Sequence, residues 1–156
     1  LLLLTGARLR EVMCAEWKWI DWNRQVLCIP PEHGKTGSGE LQLSDRAITI
    51  LRGLWEAQSG VVDAPRWIIP GRGERGPLVG YKPLWAELLK DAGIRSLRVH
   101  DLRHTFASYA LSGGQTLGTV GQLLNHRSAQ TTTRYAHLVD SAARQAVKQL
   151  SDELGV

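Results

Sequence analysis

The chain has 156 residues, 43% of them hydrophobic and 22% charged, which fits one globular domain with a sizeable core and excludes a disordered tail. Its longest apolar run is the opening "LLLL", too short for a membrane span, and no basic-then-apolar leader accompanies it, so a soluble intracellular protein is expected. Lys and Arg number 19 against 15 Asp and Glu, and the net charge of +4 permits a polyanionic partner without demanding one.

In chain order, "ARLREVMCAEW" places Leu9, Val12, Met13 and Glu16 at helical spacing, which predicts a short helix after a Thr5-Gly6 turn. "WKWID", "QVLCIP" and "ELQL" read as three short strands of a small antiparallel sheet. The first two are joined through Asp21-Trp22-Asn23-Arg24, and the last two through the Gly-rich turn "PEHGKTGSG", with Lys35 at its tip. Cys14 and Cys28 fall in apolar contexts and read as buried thiols, without disulfide-framework or metal-ligand spacing. "SDRAITILRGLWEAQ" predicts a helix capped by Ser44, with Ala47, Ile48, Leu51, Leu54 and Trp55 on its buried face. "RWIIP" is a strand or an extended link. "YKPLWAELLKDAG" repeats the amphipathic pattern through Tyr81, Leu84, Trp85 and Leu88, and Gly93 ends it. A helix from "HDLR" follows, then a helix in "TLGTVGQLL", a turn at "NHRS", a short helix ending near Tyr135, and a last amphipathic helix around "SAARQAVKQL". The fold class expected is α+β, mainly helical, with one three-stranded antiparallel sheet.

"GRGERG" satisfies G-x-G-x-x-G at Gly71, Gly73 and Gly76, with Asp91 at the spacing of a ribose-binding acid. Pro70 and Pro77 bracket it and no βαβ alternation surrounds it, so it reads as a surface loop. Arg72 and Arg75 on that loop either touch a phosphate backbone or stand in solvent.

The helix beginning "HDLRHTFAS" is the more informative stretch. Its periodicity puts Leu102, Phe106, Tyr109 and Ala110 on an anchoring face and His100, Arg103 and His104 on a presented one. His100 and His104 are spaced i, i+4 as in zinc sites, but no third ligand is evident and no metal is expected. Cations at a helix start oppose the macrodipole. Arg8 opens another helix, and His126 with Arg127 precedes a third. Three such starts, with Lys35 on a mobile turn, point to a shared anion, taken to be a phosphate.

"TGARLREV", "HGKTG", "HDLRHTFAS", "LLNHRS" and "TTTRYAHL", in that order across nearly the whole chain, resemble the catalytic domain of the tyrosine recombinase (phage integrase) family. The resemblance implies a site-specific recombinase or integrase that cleaves and rejoins DNA through a covalent 3′-phosphotyrosyl intermediate, without metal, ATP or other cofactor. By motif position, Arg8 and Arg103 clamp the phosphate and Lys35 protonates the leaving 5′ oxygen. His100 manages the nucleophile's proton, His126 donates to the phosphate, and Tyr135 is the nucleophile. Glu11 is an orienting partner, and His104 supports the site through His100. Arg127 and Arg134, beside the histidine and the tyrosine, are taken with Arg72 and Arg75 as DNA contacts. Asn125 stands where the family commonly has glycine; it is the next best residue for a left-handed turn. Tyr81 and Tyr109 lie on core faces by periodicity, which leaves Tyr135 as the nucleophile.

The chemistry suits these residue types independently. A phosphodiester is protected by its charge, and the guanidinium fork both neutralises it and holds its oxygens. A phenol needs its proton accepted before it attacks, and an alkoxide needs an acid to leave. The whole chain, 1–156, is expected to be the catalytic domain. Its opening inside an apolar run, without Met, is the pattern of a fragment that lacks the family's N-terminal core-binding domain and the start of the first helix. The expected partner is double-stranded DNA, with a homotetramer on DNA, a monomer otherwise, and a cytoplasmic, nucleoid-associated location. The final segment, 141–150, docks either on its own domain or on a neighbouring protomer. A type IB topoisomerase-like strand transferase and a non-catalytic helix-turn-helix module are the alternatives.

Overall fold

The computed structural model describes residues 1–34, 37, 39–59, 66–71, 76–126, 128–139, 147–148 and 151–153. Lys35, Arg72, Arg75 and Arg127 lie outside the described residues, as does most of the expected C-terminal helix.

Two short helices open the chain, α1 (Leu2–Thr5) and α2 (Leu9–Met13), hinged at Gly6, whose φ of 64° is left-handed. The second helix stops three residues earlier than its apolar spacing predicts, because Glu16 turns inward. Only 1% exposed, its carboxylate is held by Arg66 at 2.7 Å and by Lys18 at 3.1 Å. Trp17–Trp19 form a 3₁₀ turn rather than strand, leaving β1 only Ile20–Asp21. With β2 (Val26–Ile29) and β3 (Gly39–Gln42) it makes an antiparallel sheet in the order β1-β2-β3, Ile20 facing Leu27 and Leu27 facing Leu41. In the β1–β2 turn Asp21 Oδ1 accepts from the backbone N–H groups of Asn23 and Arg24, the side chain supplying the turn's missing acceptor.

Helix α3 (Asp45–Ser59) buries Ala47, Ile48 and Leu51 in a core shared with Leu27, Ile29 and Leu41 of the sheet, but Leu54 is only half-buried and Trp55 is exposed, lying edge-on to Trp17. Cys14 and Cys28 are half-buried free thiols rather than core residues. "RWIIP" is a link: Trp67 bridges to Glu16 and Ile68 fills the core. Around the glycine motif, Pro70 bridges to Pro77 and Gly71 N–H donates to Gly76 O, which closes a loop instead of opening a helix. Helix α4 (Lys82–Asp91) buries none of its residues; Leu84 and Leu88 are exposed, and Trp85 is tied down through its indole N–H to Leu97 O.

A second apolar cluster is built by α5 (Asp101–Ser112), α6 (Leu117–Leu123) and the 3₁₀ turn Thr133–Tyr135, which follows α7 (Ala129–Thr132) packed on α6. The buried stripe of α5 is Arg103, Ala107 and Leu111, one position away from the predicted face, and Tyr109 is 77% exposed. Thr116 caps α6 by accepting from Thr119 N–H. The two clusters meet where α1 packs on α5. Among the described residues no helix is long and apolar enough to cross a membrane.

At that seam a Cβ on Gly6 would stand 2.5 Å from Phe106 Cδ1 and 2.7 Å from Leu124 Cδ2. Gly6→Ala therefore combines a left-handed backbone, worth about 1–2 kcal/mol, with overlap in the core. A loss of more than about 2 kcal/mol in urea denaturation is expected, against a gain of about 0.5–1 kcal/mol for the exposed helical control Gly53→Ala.

Candidate active site

Four separate elements direct their polar side chains into one cavity. Arg8 is the N-cap of α2, His100, Arg103 and His104 come from the start of α5, His126 follows α6, and Thr131, Arg134 and Tyr135 come from α7 and its 3₁₀ extension. Together they line about 310 Å³. Lys35, Arg72, Arg75 and Arg127 cannot be placed relative to it, being outside the described residues.

Carboxylates accompany the cations in the first turns of α2 and α5. Glu11, 3% exposed, accepts from Arg8 N–H with one oxygen and from Arg8 Nη1 with the other, both at 2.8 Å. This capping box satisfies an orphan N–H of α2 and fixes the guanidinium in the same stroke. Asp101, in the first turn of α5, accepts from the N–H of Arg98, ahead of the helix, and pairs with its exposed guanidinium at 2.7 Å, which holds its pKa near 2. The macrodipole is thus compensated at both starts, and the cations facing the cavity remain as the excess.

Arg103 is not presented to solvent as its helical position suggests; it is 5% exposed. Nη1 donates to Gly6 O and Nη2 to Leu124 O, each at 2.6 Å. Gly6 and Leu124 are the C-caps of α1 and α6, so one guanidinium satisfies the carbonyl-rich, partially negative ends of two helices. Two of its five N–H donors are used this way, which leaves three. Burial, followed by the nearby charge of Arg8, lowers its pKa to about 10, so it stays cationic at neutral pH.

His126 sits after Asn125, whose φ of 51° is the left-handed turn expected there, and its N–H donates to Gly121 O. Nδ1 lies 2.9 Å from Thr132 Oγ1. Burial, then Arg103, Arg8 and Arg134, bring its pKa to about 4. His104 and His100 are also lowered, both chiefly by burial, with Arg134 the next cause for His104 and His104 for His100.

Tyr135 is 6% exposed and packs with Leu111, Val120 and Leu124. Its hydroxyl lies 2.6 Å from His104 Nδ1, so the phenol's immediate neighbour is His104 rather than His100, whose ring stands behind His104 at 5.0 Å, edge to face. Burial pushes the phenol's pKa up, with Arg134 and Arg103 opposing. The threonines were missed by motif reading. Thr132 lies one helical turn before Tyr135, a spacing that places its hydroxyl on the same inner face. Among the described residues no three His, Cys, Asp or Glu side chains gather as metal ligands.

Residues 1–142 match the family model described as the phage integrase family, and the chain belongs to that family. It is 28% identical to the integrase of Salmonella phage P22, over 98% of this chain and 41% of that protein. It is 34% identical to the tyrosine recombinase XerD of Rhizobium meliloti, over 95% of this chain and 48% of that protein. The chain therefore spans about half the length or less of these curated relatives. Its fold superposes on XerA recombinase with a TM-score of 0.75 at 24% identity, covering 95% of this chain and 55% of that one. On the Tn1549 transposon integrase in complex with circular intermediate DNA it also scores 0.75, at 17% identity, covering 96% and 57%. The α+β, mainly helical architecture with its small sheet is that of the tyrosine recombinase catalytic domain.

The lowered histidines set a pH dependence. Unfolded His126 takes up a proton as pH falls below about 6.5, whereas the folded one waits until about 4. Stability is thus unaffected by this group above pH 6.5 and declines as pH falls from 6.5 toward 4. His126→Gln should lose less of its melting temperature than wild type between pH 7 and pH 4.5, measured by circular dichroism; an equal loss would contradict the buried, neutral imidazole.

Proposed function

We propose that this chain is the catalytic domain of a longer site-specific DNA recombinase or integrase, which cuts and rejoins strands through a 3′-phosphotyrosyl link to Tyr135. The observation that carries the reading is the convergence of Arg8, Arg103, His126 and Tyr135 from four elements on one cavity. Membership of the integrase family, and relatives about twice as long, support the domain assignment and an N-terminal core-binding domain alongside it.

In this reading the scissile phosphodiester occupies the cavity. Arg8, braced by Glu11, and the remaining donors of Arg103 bind its non-bridging oxygens and stabilise the charge that grows on them in the transition state. The phenol oxygen of Tyr135 attacks phosphorus, its proton passing to His104 Nδ1 as the oxygen–phosphorus bond forms. His100, behind His104, is next in line for that proton. The bond to the 5′ oxygen breaks, and motif position assigns protonation of that oxygen to Lys35. His126 donates a hydrogen bond to the phosphate, and Arg134 at the rim contacts the flanking backbone with Arg127, Arg72 and Arg75. One ester replaces another, so the 3′-phosphotyrosyl link retains the energy needed for religation and no cofactor enters.

Double-stranded DNA is the partner, in line with the DNA complexes named for the Tn1549 integrase and XerH. The protein assembles as a homotetramer on DNA, is monomeric as this chain alone, and works in the cytoplasm at the nucleoid.

Nicked suicide duplexes carrying the sequences that flank the gene test the chemistry, read as a covalent protein–DNA adduct on denaturing gels. The chain within its full-length gene product should form the adduct, Tyr135→Phe should form none, and Arg8→Lys should slow it by roughly 10²–10³. Absence of an adduct with every flanking sequence would overturn the reading in favour of a DNA-binding module. Adducts confined to supercoil relaxation, without exchange between two duplexes, would favour the topoisomerase alternative. DNA binding by this chain alone should be weak and fall steeply with salt; a tight, salt-independent complex would contradict it.

A further inference from the structure

His126 stands between two cavities. It lines the cationic one with Arg8, Arg103 and Tyr135, and it lines a second one with Gly121, Ser128 and Thr132. Its backbone is fixed by the left-handed Asn125 and by the N–H bond to Gly121 O, which leaves rotation of the ring to be decided by side-chain contacts. Thr132 supplies one. It is 3% exposed, and its hydroxyl reaches Nδ1 at 2.9 Å. Gly121 makes the space: a Cβ there would lie 3.0 Å from Thr132 Oγ1, tighter than nearly all real contacts.

We infer that Thr132 is a positioning residue for His126, its hydroxyl donating to Nδ1 so that the imidazole carries its proton on Nε2 and presents that N–H to an anion in the cationic cavity. The step rests on the phosphate-binding reading of the site. A neutral imidazole has one N–H, and which nitrogen bears it is set by the hydrogen bond the other makes. Were Nδ1–H to donate to the hydroxyl, Nε2 would show a lone pair to the phosphate and repel it. A threonine hydroxyl that donates to Nδ1 reverses this, and lets a histidine kept uncharged by burial and by its arginine neighbours act as a donor. His126 thereby adds a directed hydrogen bond without adding a fourth cation to Arg8, Arg103 and Arg134.

Long-range ¹H–¹⁵N spectra of the imidazoles, at pH 7 and without DNA, read the tautomer directly. For wild type and Thr132→Ser, His126 should be the Nε2–H form with Nδ1 shifted as a hydrogen-bond acceptor; in Thr132→Val that acceptor shift should vanish. Nδ1–H in wild type, or an unchanged Nδ1 signal in Thr132→Val, would overturn the inference. In single-turnover cleavage Thr132→Val should be slower by about tenfold with DNA affinity changed less than about twofold, and Thr132→Ser should restore the rate. A serine variant as slow as valine, with both melting like wild type, would also overturn it. Should valine fail to fold, the wild-type and serine spectra still decide. The expected spectra from a wild type that cleaves nothing would support the Thr132 contact and sink the recombinase reading instead.

Discussion

Arg103 holds the architecture together. A guanidinium with so little exposure is costly to bury unless every direction of its fork is answered, and two answers come from backbone carbonyls 97 and 21 residues away in sequence. Both carbonyls end helices, so the cation sits where two sets of peptide dipoles point their negative ends. The contact joins the sheet-bearing half to the helical half and leaves a positive charge at the seam. Arg8 across the seam depends on the same join, since Gly6 sets where α2 begins.

The buried carboxylates show the same economy at a smaller scale. Glu11 caps a helix and orients Arg8 with its two oxygens. Glu16 does not face the cavity; it fastens the link at Arg66 to the 3₁₀ turn beside the sheet. Each is almost fully buried and each is paired, as buried charge requires. The cavity's histidines follow a different rule: burial first, and the arginines around them second, lower their pKa values and favour the neutral ring.

The sequence displayed the chemistry of this site more clearly than its packing. Arg8, Arg103, His126 and Tyr135 stand out in sequence by residue type and motif, and the structure brings all four to one cavity. Periodicity misplaced α5 because it sends charge outward by default, and the buried stripe runs through Arg103 itself while Tyr109 is left in water. The same default filled the face of α4 with Leu84 and Leu88, which the fold leaves exposed. Thr132 was illegible because a hydroxyl on an inner face looks, in sequence, like any surface threonine. Which of the two histidines lies against the tyrosine was not legible for a related reason: which of two imidazoles one turn apart reaches a phenol is set by how the helices cross, which no local pattern records.

Tyr135 rides on a four-residue helix followed by a single 3₁₀ turn. Elements this short have no standing of their own in water; nucleation costs more than so few backbone bonds return. Their shape is borrowed from the contacts of the tyrosine ring with Leu111, Val120 and Leu124. The side chain that lines the cationic cavity is therefore also the peg that keeps its own segment wound. Withdrawing it and reshaping the backbone around it become a single concerted rearrangement, so the reach of the phenol is governed by the whole 129–135 stretch and not by side-chain torsions alone.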